Sequence, residues 1–289
     1  MIMPTNLITI KKPNVGAASV PLIISSPHSG RTYPSGFHFI CPEIALRQTE
    51  DAFVDELVEN APTIGATVIQ AEFPRSYIDV NRAEDDLDPA LLNEVWPTPL
   101  NPSERTLRGL GLIRRLCKSG MPMYAAPLNV AEAQHRILSY YRPYHAELQN
   151  LLAQQSKQHE MVYLLDCHSM PSRGGDNALS LRPDFVIGNL DGTSCDDFFT
   201  HTVQDSLLNM GYSVALNNPY KGMEILRRYG SPQRQSQALQ LEINRQLYLD
   251  EVTSNKNAGF QKLKSNLTQL FQDVAVFISD QTQNRMAAE

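Results

Sequence analysis

The chain has 289 residues, 42% of them hydrophobic, and a formal net charge of −6. That length allows one large α/β domain or two small ones, with enough apolar residues for a substantial core. The acidic balance and the lack of a clustered Lys/Arg stripe argue against a generic nucleic-acid binder, and no apolar stretch approaches the ~20 residues that span a bilayer.

Met1 to Val20 carries Lys11-Lys12 but no apolar core followed by a small-residue cleavage site, so it does not read as a signal peptide. Pro21–Ser26 is an apolar run that stops at Pro27-His28-Ser29-Gly30-Arg31, the pattern of a buried strand ending in a loop. Glu50–Glu59 follows as a helix with Phe53, Val54, Leu57 and Val58 on one face. Ala66–Ala71 is a second strand, and Tyr77–Val80 a short extended piece. The Pro-rich stretch Trp96–Pro102 reads as an ordered surface loop, with a lid as the alternative. Ser103–Lys118 is expected to be a helix closed by Gly120. Val130–Lys157 is a long helical pattern that Pro143 should kink or split.

Met161–Leu165 is a strand running into Asp166-Cys167-His168-Ser169. Strands at Asp184–Gly188, Tyr212–Leu216 and Ala238–Ile243 alternate with helices at Thr193–Met210, stopped by Gly211, and Gly259–Ser279. This order predicts a mixed sheet with helices on both faces, a three-layer α/β fold formed by residues 1–289 as one domain. Cys41, Cys117, Cys167 and Cys195 are far apart and form no CxxC, which suits reduced thiols in a cytosolic protein better than a disulfide framework.

His28 and His168 sit at two such strand ends, where open α/β sheets build their sites. Two imidazoles presented by rigid strands suit a catalytic metal, whose third ligand should be a carboxylate. Glu50 or Asp51 can supply it, although acids at a helix start are also favoured by the dipole alone. Cys167 should face away from His168, since neighbours on a strand point to opposite faces, which disfavours a Cys–His nucleophile. Glu132, His135, His145 and Glu147 read as a solvated helix face, and His38, His159 and His201 have no identifiable partner. Glu242 lies between Leu241 and Ile243 and is either a solvent-facing strand position or a catalytic carboxylate. Arg75 and Arg82 in Phe73–Arg82 suit bidentate carboxylate binding, or pair with the acids from Glu84 to Asp88. Asn217–Gly222 is a turn that could place Tyr220 or Lys221 over a ligand.

These segments together resemble the N-formylglutamate amidohydrolase (deformylase) family. The resemblance runs from Ser25 to about Glu251, through SPHSGRTYP, TEDAFVDEL, FPRSYIDVNRAEDDLDP, LLDCHSMPS, IGNLDGTSC, NNPYKG and LQLEINRQLY. That family is similar to the zinc carboxypeptidases, which implies the same phosphorylase/hydrolase-like architecture. By the resemblance His28 and His168 are zinc ligands, Asn81 and Arg82 hold a substrate carboxylate, Arg75 is a second cationic group, and Glu242 is the general base. The carboxypeptidase carboxylate ligand would fall at Arg31, so it must come from elsewhere, and Asp51 is preferred to Glu50.

The resemblance implies zinc-dependent hydrolysis of N-formyl-L-glutamate to formate and L-glutamate, in cytoplasmic histidine degradation. It implies a small-molecule partner and neither nucleic acid nor membrane; the oligomeric state is left open. Arg31 and Lys221 are weaker candidates for a substrate carboxylate. No Gly-rich phosphate loop suggests a nucleotide. Rival readings are an amidohydrolase or carboxypeptidase-like enzyme acting on another N-acyl amino acid or peptide, and a non-catalytic binder of acidic metabolites.

Overall fold

The computed structural model describes residues 7–118, 120–174 and 181–286. In chain order its elements are β1 (Ile8–Lys11), β2 (Leu22–Ser26), α1 (Glu43–Arg47), α2 (Val54–Leu57), β3 (Thr67–Ala71), α3 (Glu104–Leu107), β4 (Leu116–Lys118), β5 (Met121–Pro122), α4 (Val130–Arg136) and α5 (Arg142–Ser156). They continue with β6 (Val162–Met170), β7 (Phe185–Gly188), α6 (Asp197–Asn209), β8 (Val214–Leu216), α7 (Glu224–Tyr229), β9 (Ser236–Asn244), β10 (Leu249–Asp250), β11 (Asn255–Lys256) and α8 (Phe260–Met286).

Seven strands form one sheet in the order β1-β3-β2-β6-β9-β7-β8. The central four, β3, β2, β6 and β9, run parallel, while β1 pairs antiparallel with β3 and β7 antiparallel with β9. The expected mixed sheet is present. Strands β2 and β6 are buried along their whole length, which is why they read as continuous apolar runs rather than as alternating ones. The strand β1 was not anticipated; it is short and half-buried at the sheet edge, so it carries little apolar signal.

The two faces of the sheet carry separate cores. Ile24, Leu165, Cys167, Leu239, Leu241 and Ile243 pack with Phe199, Val203, Leu267 and Phe271 of α6 and α8. Ile23, Leu164 and Ala238 pack with Tyr141, Tyr144, Leu148 and Ile225 of the opposite helices. On that second face the strands begin apolar and end polar, because Ser25, Asp166, His168, Gln240 and Glu242 continue the same alternation toward the carboxyl ends.

Two helices differ from expectation, and a third behaves as expected. Only Glu104–Leu107 of the segment Ser103–Lys118 is helical. Gly109 takes φ +84° and Gly111 passes within contact of Thr106 and the Asp86 carbonyl, so the chain turns back and becomes β4. The helix expected at Glu50–Glu59 shrinks to Val54–Leu57, since Phe53 adopts a left-handed φ of 63° and Glu50 and Asp51 precede the helix. The long helical pattern does split: Ile137–Tyr141 forms a π-turn just ahead of Pro143, whose ring nitrogen has no hydrogen to continue the ladder.

His145 also departs from its expected solvated face, because α5 turns it into the core. Nε2–H donates to the Val80 carbonyl at 2.9 Å, and the Tyr229 hydroxyl lies 2.9 Å from Nδ1. Burial, with Arg228 nearby, pushes its pKa down to about 3. Between that value and the ~6.5 of an unfolded histidine, only the unfolded chain takes up the proton. Stability supplied by neutral His145 is therefore complete above pH ~6.5 and is lost as pH falls, by up to about 1.4 kcal/mol per pH unit. Replacing His145 with Asn is expected to flatten the loss of urea-unfolding stability from pH 6.5 to 4. Identical pH dependence in the two proteins would mean that His145 charges inside the fold.

Candidate active site

The strand β2 ends at Ser26, and the next two residues bring His28 over the carboxyl end of the sheet. Gly30 lets this loop lie against β3: a Cβ there would stand 2.4 Å from the Glu72 carbonyl carbon and the Phe73 carbonyl oxygen. The His28 carbonyl accepts from Asp51 N at 3.0 Å, and Ser29 Oγ donates to the Asp51 carbonyl at 3.0 Å. His168 rises from the parallel strand β6, two residues beyond Asp166 on the same face.

These elements bring three donors to one point. His28 Nδ1 lies 3.1 Å from His168 Nδ1 and 3.3 Å from Asp51 Oδ2, and His168 Nδ1 is 3.0 Å from that same oxygen. Both Nε2 atoms are already committed, His28 to Asp79 Oδ1 at 2.7 Å and His168 to Asp166 Oδ2 at 2.7 Å. With Nε2–H donated to a carboxylate, each Nδ1 presents a lone pair. Two lone pairs and a carboxylate oxygen then face one another, a conflict that a cation resolves. A tetrahedral ion about 2.0–2.1 Å from its ligands needs ligand atoms roughly 3.3–3.4 Å apart, close to the spacing found. His28, Asp51 and His168 thus form a buried group able to hold a metal ion, with the outer carboxylates that such histidines usually have.

Of the two acids considered, Asp51 reaches the cluster. Glu50 turns away to Tyr33 and to Arg47, 3.0 Å from it. Asp51 Oδ1 accepts from Ser169 Oγ at 3.2 Å and pairs with Arg245 at 3.3 Å, leaving Oδ2 for the histidines. Burial opposes charge on Asp51, but its close contacts with the His168 and His28 imidazoles and the charge of Arg75 outweigh it and hold the carboxyl well below its ordinary range. Asp79 is likewise buried and held low, by Arg75 at 2.7 Å and by His28.

Glu242 stands beside His168 in the β6–β9 register and accepts from Gln240 Nε2 at 2.9 Å. Burial pushes its carboxyl up to about 7, although His168 pulls the other way. Cys167 points into the opposite core, as strand alternation requires.

His28, His168 and Glu242 open into a cavity of about 630 Å³ that Arg75, Asn81 and Arg82 also line. Asn81 Nδ2 lies 3.2 Å from His168 Nε2 and 3.4 Å from Asp166 Oδ2, and its amide oxygen accepts from Ile225 N. Arg82 lies 4.0 Å from Asp86 and also feels the charge of Asp79. Tyr220 and Lys221 line the cavity from the Asn217–Gly222 turn, with Lys221 paired to Asp191. Arg31 is exposed and faces Glu56 instead. Trp96–Pro102 contributes nothing to the lining; Trp96, Pro97 and Thr98 border a separate depression with Glu84 and Arg142.

Several residues at the site lie outside the roles expected from the sequence. Asp166 follows the same two-residue alternation as His168, so the Asp-x-His spacing could have exposed it. Arg245 ties Asp51 to Ser169 and to the Gln48 and Glu50 carbonyls, contacts between segments far apart in the chain. Arg105 and Arg114 also line the cavity; the expected helix at Ser103–Lys118 concealed them.

Fold and site together define a class, an α/β enzyme with a two-histidine, one-carboxylate cluster at the carboxyl ends of its strands. The chain belongs to the N-formylglutamate amidohydrolase family, whose sequence model matches residues 20–249. The N-formylglutamate deformylase of Pseudomonas putida is 30% identical over 237 residues, covering 81% of this chain and 83% of its own. The crystal structure of N-formylglutamate amidohydrolase from Ralstonia eutropha JMP134 has 40% identity and a TM-score of 0.91, covering 96% of this chain and 99% of that one. A gene product from Agrobacterium tumefaciens, 15% identical with a TM-score of 0.62, shares the fold over 94% of this chain and 96% of its own. Among the described residues no helix is long and apolar enough to cross a membrane.

Gly30→Ala tests the loop geometry. The added methyl must displace backbone, so a loss of about 1–3 kcal/mol in stability is expected, together with weaker uptake of a divalent metal as His28 moves. Unchanged melting temperature and unchanged metal stoichiometry would show that the close approach is not required.

Proposed function

We propose that this chain hydrolyses the amide of N-formyl-L-glutamate to formate and L-glutamate, with a divalent ion, zinc by its donor set, held by His28, Asp51 and His168. The observation that carries this reading is the convergence of the three donor atoms beside buried Glu242, beneath a cavity lined by arginines. The family membership supports it. A divalent cation at that point supplies a water of lowered pKa and a Lewis acid for the formyl carbonyl.

The protein's own groups do the rest. Glu242, with a carboxyl poised near neutrality, accepts a proton from the attacking water. It returns that proton to the amine nitrogen as the C–N bond breaks, so one water is consumed and formate and glutamate leave. Arg75, fixed by Asp79 and 3.7 Å from Asp51, is positioned to meet the carbonyl oxygen as it gains negative charge. Arg82 holds a substrate carboxylate; Asn81 assists through Nδ2 alone, its oxygen being committed to Ile225. We also propose that residues 1–289 act as one domain, because the sheet draws strands from Ile8 to Asn244 and α8 packs back onto it.

A formate-release assay on N-formyl-L-glutamate tests the activity. Chelation is expected to abolish turnover, and zinc to restore it better than magnesium or calcium; turnover untouched by exhaustive chelation would remove the metal from the reading. Glu242→Gln should keep zinc stoichiometry while kcat falls by about 10²–10⁴. A kcat near that of the unaltered enzyme would exclude Glu242 as the base.

A further inference from the structure

The cavity carries an electrostatic imbalance. Eight of its lining residues are cationic, and one, Glu242, is a carboxylate. Several of these cations have partners: Arg75 has Asp79 and Asp51, Arg245 has Asp51, Lys221 has Asp191, and Arg227 has Glu224. Arg114 has none. Among the described residues its side chain makes no hydrogen bond or ion pair, its Nε is buried without an acceptor, and the residue is 9% exposed. Burial and the charges of Arg75, Arg82 and Arg105 push its pKa down to about 9, against a weaker pull from Asp79.

Arg82 shares the problem. It is 3% exposed, and its Nη1 makes no hydrogen bond. Asp86, the acid 4.0 Å away, already accepts from Ser103 N at 2.7 Å and from the Ser103 and Thr106 hydroxyls. Buried guanidinium groups that lie near one another and outnumber their acids destabilise a fold. Such an arrangement is best explained by an anion that arrives with the ligand.

The substrate of the proposed reaction brings two carboxylates. Arg82 follows Asn81, whose amide touches His168, so it belongs to the wall next to the reacting centre. Arg114 comes from a separate segment, docked where Asp79 N donates to the Leu112 carbonyl at 2.8 Å. We propose that Arg114, aided by Arg105, binds the side-chain carboxylate of the acyl amino acid and sets the preference for an acidic substrate, leaving the α-carboxylate to Arg82. This assignment rests on the reading of the cavity as an N-formylglutamate site. Arg114 is then a specificity residue held at some cost in stability.

The test compares zinc-loaded wild type with Arg114→Gln and Arg114→Lys on N-formyl-L-glutamate, its γ-amide N-formyl-L-glutamine, and its α-amide. Arg114→Gln is expected to lose about 10- to 150-fold in kcat/KM on the diacid, the worth of one charge-assisted pair, and to leave the γ-amide nearly unaffected. On the α-amide, which keeps the side-chain carboxylate, the full penalty should remain. Arg114→Lys should retain part of the discrimination. The melting temperature of Arg114→Gln should equal or exceed that of wild type, the opposite of what a structural arginine gives. Equal penalties on diacid and γ-amide, a penalty that disappears with the α-amide instead, or a variant that does not fold would each overturn the assignment. If wild type releases no formate from N-formylglutamate, the parent reading fails, and calorimetric titration of glutarate into the metal-loaded protein then decides the subsite. Binding at least tenfold weaker in Arg114→Gln would uphold it, and equal binding would overturn it.

Discussion

Three electron-pair donors held about 3 Å apart in a buried space are the constraint on which the rest of this structure turns. His28 Nδ1, His168 Nδ1 and Asp51 Oδ2 repel one another unless positive charge lies between them. Each is prevented from turning away. Asp79 and Asp166 fix the two imidazoles through Nε2, and Ser169 and Arg245 fix the far oxygen of Asp51. Asp166 is itself held by Ser25 at 2.7 Å. The second tier of contacts therefore stabilises an arrangement that the first tier, taken alone, would not adopt.

The cost of burying so many acids is offset by arginines and imidazoles buried with them. Arg75 bridges Asp79 and Asp51, and Arg245 joins Asp51 to the backbone of the segment that carries it. The balance changes across the cavity. Around the cluster the acids have cationic or imidazole partners; on the wall formed by Arg82 and Arg114 the cations outnumber the acids. One side of the cavity thus gathers carboxylates and imidazoles, and the other an excess of arginines. An amide whose acyl carbon meets the first side and whose carboxylates meet the second would be held across both.

Sheet register sets much of this geometry. Because β6 and β9 are parallel and in step, His168 and Glu242 share a level, as do Asp166 and Gln240. The same alternation that buries Leu165, Cys167, Leu239 and Leu241 on one face delivers the polar residues to the other. A one-residue slip would exchange the two sets, so packing of the apolar core and placement of the chemistry are secured together.

The sequence by itself determined the parts of this protein written in short-range patterns. The apolar runs at Pro21–Ser26 and Met161–Leu165 marked central strands, alternation separated Cys167 from His168, and the ordered motifs from Ser25 to Glu251 carried the family resemblance. Long-range relations were decided only by the tertiary structure. Asp51 is already preferred to Glu50 from the sequence, but neither its restraint by Arg245, nearly two hundred residues along the chain, nor the turning of Glu50 toward Arg47 is legible there. His145 became a core residue because Tyr229 and Val80 enclose it. Arg114 emerged as a cation unpaired among the described residues only after Gly109 and Gly111 broke an expected helix and folded that segment toward Asp79. A local pattern reports how a residue relates to its neighbours in the chain. Burial, pairing and charge balance are set by groups that only folding brings into contact.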